Sequence, residues 1–186
     1  TGYSALSQDN LDAGSSKITS WAWIKNRDAT DSHMLFDRVR GVGNDLHSDA
    51  NSAQVSSDNT VQRFLQRGVQ VGNDAEVNTA NESYTLWQWL TGDSATTGST
   101  NDSGSINSTV IAADAGHFSV GTFTGAGGSS TIGHGLSAEP EFFLVKRIGT
   151  SGTGWFIYSK DTTDPNNKFL RLQTTAAEAS ASGAWT

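Results

Sequence analysis

One stretch of this sequence is echoed, incompletely, later in the chain, and such an internal similarity restricts the fold more than any local pattern does. Trp21-Ala22-Trp23-Ile24-Lys25-Asn26-Arg27, the polar run 28–32 and Met34-Leu35-Phe36 return as Phe142-Phe143-Leu144-Val145-Lys146-Arg147, the polar run 149–153 and Trp155-Phe156-Ile157. An offset of 121 residues places Trp21 on Phe142, Ile24 on Val145, Lys25 on Lys146, Leu35 on Phe156 and Phe36 on Ile157. After a three-residue insertion, Leu46 falls on Leu170, Asn51 on Thr175 and Ala53 on Ala177. A repeat of this length predicts a repeated structural unit, because both copies must bury the same apolar positions.

The composition says what kind of unit it is. Only 35% of the 186 residues are hydrophobic and 17% charged, with 20 Gly, so the balance is Ser, Thr, Asn and Asp. Chains of this kind are built from short strands and many turns. Six Trp, eight Phe and three Tyr suffice to fill a thin interior. The net charge of −7, with 12 scattered Lys and Arg, predicts no nucleic-acid partner. No apolar run reaches the length of a membrane span, so no membrane insertion is expected. Cysteine is absent, which removes disulfides and thiolate metal sites. Thr1 carries no initiating Met, so the chain is expected to be processed or an excerpt of something longer.

Strand signals run through most of the chain, while helical periodicity is almost absent. The best helical stretch, 59–67, is interrupted by β-branched residues and followed by Gly68. Residues 21–25 and 34–38 read as neighbouring strands; residues 68–72 and 84–90 read as a second pair around the turn-like 73–83. Residues 106–111, 117–124, 141–147, 155–159 and 169–173 read as further strands. From Thr91 to Ser105 there is one Ala and no larger aliphatic or aromatic residue, which predicts a linker or surface loop. The expected organisation is a first β-sandwich module at 1–92, a Ser/Thr/Gly/Asp linker at 93–105 and a second module at 106–186. The second copy has no counterpart of residues 61–90, so a longer parent chain or a neighbouring subunit is expected to supply its closing strands.

Few residues carry a recognisable chemistry. Histidines 33, 47, 117 and 134 show no HxH or HExxH spacing, and His134 between Gly133 and Gly135 reads as a backbone-determined turn. Asp28, Asp31 and Asp37 form the candidate metal set, since alternating oxygen ligands in a loop could bind Ca²⁺; turn-forming aspartates bonding their own backbone account for them equally well. No other cofactor is expected. No GxSxG elbow, phosphate loop or strand-borne carboxylate pair is present, so no catalytic residue is assigned. The aromatics offer more. Trp21 and Trp23 share a strand face, as do Trp87 and Trp89. They read either as core or, with Trp155, as stacking surfaces for sugar rings, for which Trp21, Trp87 and Trp155 are the candidates.

Several of these motifs, taken together, resemble one family. Trp23 to Asp28, His33 to Asp37, Val39-Arg40-Gly41 and, in the second copy, Phe118 to Gly125, Thr131 to Leu136, Pro140, Phe143 to Lys146 and Thr174 to Ala177 resemble a module of virion structural and tail-fibre-like proteins of marine tailed bacteriophages. The resemblance covers most of the chain from Trp21 onward; residues 1–20 lack the Gly-His-Gly-Leu element. It implies an all-β, concanavalin A-like lectin/glucanase jelly-roll β-sandwich in two related modules. It implies a virion or extracellular location and a non-enzymatic role as fibre, spike or capsid decoration. Other virion subunits are the expected partners, with homo-oligomerisation following from particle symmetry. Host-surface glycans are the alternative partner, and a glycan-cleaving enzyme ranks last.

Overall fold

The computed structural model describes residues 17–66, 68–91, 98–113 and 116–185. The expectations for residues 1–16, and for 92–97 of the polar stretch, lie outside the described residues. The chain is all-β, with antiparallel strand pairing in every sheet and one short helix among the described residues, α1 (Ala75–Asn78). The largest sheet contains β1 (Ile18–Asn26), β2 (Met34–Asp37), β3 (Asn44–His47), β4 (Val55–Ser56) and β7 (Tyr84–Thr91), in the order β4-β3-β2-β1-β7. β5 (Val61–Leu65) and β6 (Gly68–Val71) form a separate hairpin. β8 (Ser99–Asn101), β9 (Ser108–Ala112) and β10 (Ser119–Phe123) make a three-stranded sheet. β11 (Phe142–Val145) pairs with β12 (Phe156–Ser159), and β13 (Lys168–Phe169) with β14 (Ala179–Ser180).

The duplicated sequence is a duplicated meander. In the first copy Trp23 faces Leu35, and Leu35 faces Leu46, across β1, β2 and β3. In the second, Leu144 faces Ile157, which forms an antiparallel bridge with Leu170. The register makes Leu35 equivalent to Ile157 and Phe36 to Tyr158, one residue later than the uniform 121-residue offset predicts. The second turn is one residue longer, and the insertion falls there, where backbone length is free to vary. Lys25 and Lys146 also take the same role at the strand ends. Lys25 Nζ donates to Asn26 O at 2.5 Å and to Ala29 O at 3.1 Å; Lys146 Nζ donates to Arg147 O at 3.2 Å and to Thr153 O at 2.6 Å. Each ammonium thus ties its own turn through backbone carbonyls. Burial lowers the Lys146 pKa.

Two apolar clusters cover the two faces of the first meander. On one face Ile24, Met34 and Phe36 are buried with Val61 of the β5–β6 hairpin and Val77 of α1. On the other, Leu35 and Leu46 are buried with Trp155, and Trp21, Trp23, Leu144 and Leu172 pack against them. Trp155 Nε1 donates to His47 O at 2.8 Å. The β11–β12 turn is also clasped by backbone: Gln54 N–H donates to Ile148 O at 2.9 Å and Gly152 N–H to Asn51 O at 2.9 Å. Double coverage explains why all four residues of β2 are buried, with no alternation. On the opposite face of the second meander, Phe143 stacks on Tyr158 with 4.8 Å between ring centroids, and Trp185 closes over both.

One expected pairing differs from the structure. Residues 68–71 pair with 61–65 rather than with 84–90, a pairing that closes a shorter loop at a somewhat lower entropic cost. The 84–91 strand instead joins β1, with Trp21 opposite Trp89 and Trp23 opposite Trp87. Within the polar stretch, Ser99–Asn101 is a strand paired with β9. An edge strand needs only backbone partners and tolerates side chains with no apolar surface. Around His134, Gly135 has φ +72°, a Cβ at Gly133 would meet the Asn101 side chain, and His134 Nδ1 accepts from Leu136 N–H at 3.0 Å.

Trp155 binds the second meander to the first, so Trp155→Ala should destabilise the protein by about 3–5 kcal/mol. Urea denaturation followed by Trp emission and by far-UV circular dichroism should show the two signals moving together to lower midpoint.

Candidate functional site

The cross-strand register of β1 and β7 assembles four indoles on one sheet face. Trp21 and Trp89 have ring centroids 4.6 Å apart, Trp23 and Trp87 5.7 Å, and Trp21 and Trp23 5.8 Å, all edge to face. Directly opposed side chains on antiparallel strands stand close enough for such contacts, and the edge-to-face arrangement suits the ring quadrupoles. Phe118 stacks on the outer side of Trp89 at 6.1 Å. His33 fixes the inner end, because its Nδ1 accepts a 2.9 Å hydrogen bond from Trp23 Nε1. Coverage by the second meander stops near Trp21 and Trp23. Trp87 and Trp89, on the edge strand beyond, remain 46% and 39% exposed.

The terrace therefore has a supported base and an open rim. Inner rings hold the outer ones in place, so little ordering would be lost when a flat apolar ligand face settles on Trp87 and Trp89. Of the three indoles singled out from the sequence, Trp21 and Trp87 lie together on this terrace. Trp155 lies elsewhere, 5% exposed in the cluster with Leu35 and Leu46. Trp23 and Trp89 complete the terrace, and alternation along each strand signalled both. Phe118 carried no sequence signal toward it, since its segment is placed by tertiary packing, whereas His33 adjoins β2 in the local β1–β2 connection.

The three candidate metal ligands are not brought together. Asp28 and Asp31 stand in the β1–β2 turn, whereas Asp37 ends β2. Asp28 Oδ2 accepts from Ser83 N–H at 2.5 Å, which with the Ser83 side chain lowers its pKa. Asp31 Oδ2 accepts from the buried Asn26 amide at 2.6 Å, and Glu82 Oε2 accepts from the same nitrogen at 2.6 Å. Asp37 pairs with Arg40 at 2.5 Å. Turn aspartates that bond neighbouring backbone and amides account for this arrangement. Among the described residues no three His, Cys, Asp or Glu groups are set to hold a metal ion.

A separate ionisable pair lies at the edge of the core. Asp45 is 2% exposed, and among the described residues its Oδ1 has no hydrogen-bond acceptor role other than toward His47 Nε2, 3.2 Å away. His47 satisfies it only with a proton on Nε2. The Asp45 hydrogen bond raises the His47 pKa, against burial and with help from the Glu76 charge. Burial raises that of Glu76, whose pull is opposed by His47.

Two outcomes follow from these geometries. A histidine pKa raised by folding stabilises the fold fully below the unfolded value near 6.5, and that contribution disappears as pH rises through the folded pKa. Thermal midpoints should therefore fall as pH increases above about 6.5, and His47→Gln should flatten the dependence. Iodide should quench the emission of Trp87 and Trp89, so Trp87→Phe/Trp89→Phe should remove most of the quenchable signal. Trp155 should remain protected.

No solved structure and no curated protein matches the chain. A family model does match, over residues 3–186, and it places this β-chain and its indole terrace in a family by sequence. The chain belongs to the family described as Domain of unknown function (DUF7483).

Proposed function

We infer that this chain is a non-enzymatic, lectin-like structural component of a phage virion, of the fibre, spike or capsid-decorating kind, and that its indole terrace holds a host-surface glycan. The fold in this reading is a concanavalin A-like jelly roll of two related modules. The exposed rims of Trp87 and Trp89 over the supported Trp21 and Trp23 carry the glycan reading. Apolar sugar faces stack on indoles, and the hydroxyls at their edges take donors and acceptors from neighbouring polar groups. The virion reading rests on the sequence resemblance and on the repeated meander, which suits proteins that act as symmetric copies. An activity without catalysis is favoured by the employment of the carboxylates: Glu82 binds Asn26, Glu141 binds Lys160, and Glu178 binds Thr163.

A glycan array probed with the full chain tests this. Binding should be lost or weakened about tenfold or more in Trp87→Ala/Trp89→Ala, the scale of two aromatic contacts. Equal binding by the variant would remove the terrace from recognition, and sedimentation showing only monomer at all concentrations would count against the assembly role.

A further inference from the structure

A second place in the molecule has the character of a ligand site and lies apart from the terrace. Between the first meander and the β8–β9–β10 sheet runs an open cleft of about 570 Å³, within the range of roughly 300–1,000 Å³ typical of small-molecule sites. One wall is a row of hydroxyls. Thr109 pairs with Thr100 on one side and Thr122 on the other, so three threonines stand in line across three strands. Among the described residues, none of these three hydroxyls has an intramolecular hydrogen bond.

The opposite wall is polar and rigid. Arg40 Nε meets Asp37 at 2.5 Å, while its Nη1 donates to Asn44 O at 3.0 Å and to Gln54 Oε1 at 3.2 Å. Gln54 Nε2 in turn donates to Asn44 Oδ1 at 3.0 Å. The Gln54–Ile148 backbone bond brings the second meander's turn to the rim, where Ile148 is 37% and Phe123 43% exposed. Charge decides what such a cleft accepts. Its guanidinium is already neutralised by Asp37, and among the described residues no carboxylate lines it, so neither an anion nor a cation finds an unmatched counter-charge there. Aligned hydroxyls and amides beside exposed apolar side chains match a neutral molecule with many hydroxyls and a partly apolar face.

We propose that this cleft is a second binding site, for a neutral saccharide, lined by Thr100, Thr109, Thr122 and Gln54 with Phe123 at its rim. It extends the glycan-binding reading but stands on different residues. A ligand held there would bridge the two halves of the chain, since Gln54 and Ile148 come from different copies of the repeat.

The test is a titration of the uniformly ¹⁵N-labelled chain with three neutral hexasaccharides: α-1,4-glucose, β-1,4-glucose and β-1,4-N-acetylglucosamine. One of them should move the amide signals of Gln54, Thr100, Thr109, Thr122 and Phe123 saturably. Thr109→Val/Thr122→Val keeps side-chain shape and removes two hydroxyls, and should weaken that binding about tenfold or more. Phe123→Ala, at an exposed position, should weaken it as well and serves if the double variant does not fold. Trp87→Ala/Trp89→Ala should leave the cleft signals moving as before. Shifts confined to the terrace would overturn the cleft site while sparing the terrace. The absence of any shift at the cleft with all three sugars would overturn it too, as would saturable shifts produced there only by a pool of neutral peptides.

Discussion

The structure depends on the contact between its two related meanders. Leu35 and Leu46 of the first are buried against Trp155 of the second, and the indole N–H is paired with His47 O. Leu144, equivalent by register to Trp23, packs into the same cluster. Corresponding faces of the two copies therefore meet, as expected when both keep the same apolar positions. A buried Trp combines a large apolar area with one polar group that must be satisfied, so it specifies position as well as adding stability.

That contact also decides where the aromatic terrace is open. The second meander covers Leu35 of β2 and Leu46 of β3, reaches Trp21 and Trp23, and leaves the rim of β7 uncovered. Indoles on one face thus differ in exposure because the covering layer is narrower than the sheet it covers. The inner pair holds the outer pair upright, with His33 and Phe118 at the ends. The same arrangement creates the cleft, since the second meander's turn docks on Gln54 and faces the threonine row across the gap.

Much of the strand content was legible in the sequence, because alternation and turn residues are local signals. The repeat was legible too, and the paired roles of Lys25 and Lys146 follow from it. Its alignment slipped by one residue at β12, because a turn insertion leaves little trace in composition. Partner choice was less legible. Residues 84–91 carry alternating aromatics that suit any neighbouring strand, and only the register against β1 unites Trp87 with Trp23. The Ser99–Asn101 strand was missed because its side chains contribute no apolar signal, its pairing being made by the backbone alone.

The sequence by itself determined that this chain is a β-protein with a duplicated unit, and that indoles alternate on two of its strands. These properties reside in short-range periodicity and in self-similarity, which need no knowledge of distant partners. Only the tertiary structure decided that Trp155 is core while Trp87 and Trp89 face solvent, that Asp37 is held apart from Asp28 and Asp31, and that a hydroxyl row faces a polar wall. Exposure and convergence arise from which surfaces cover which, and residues far apart in the chain acquire them only through packing.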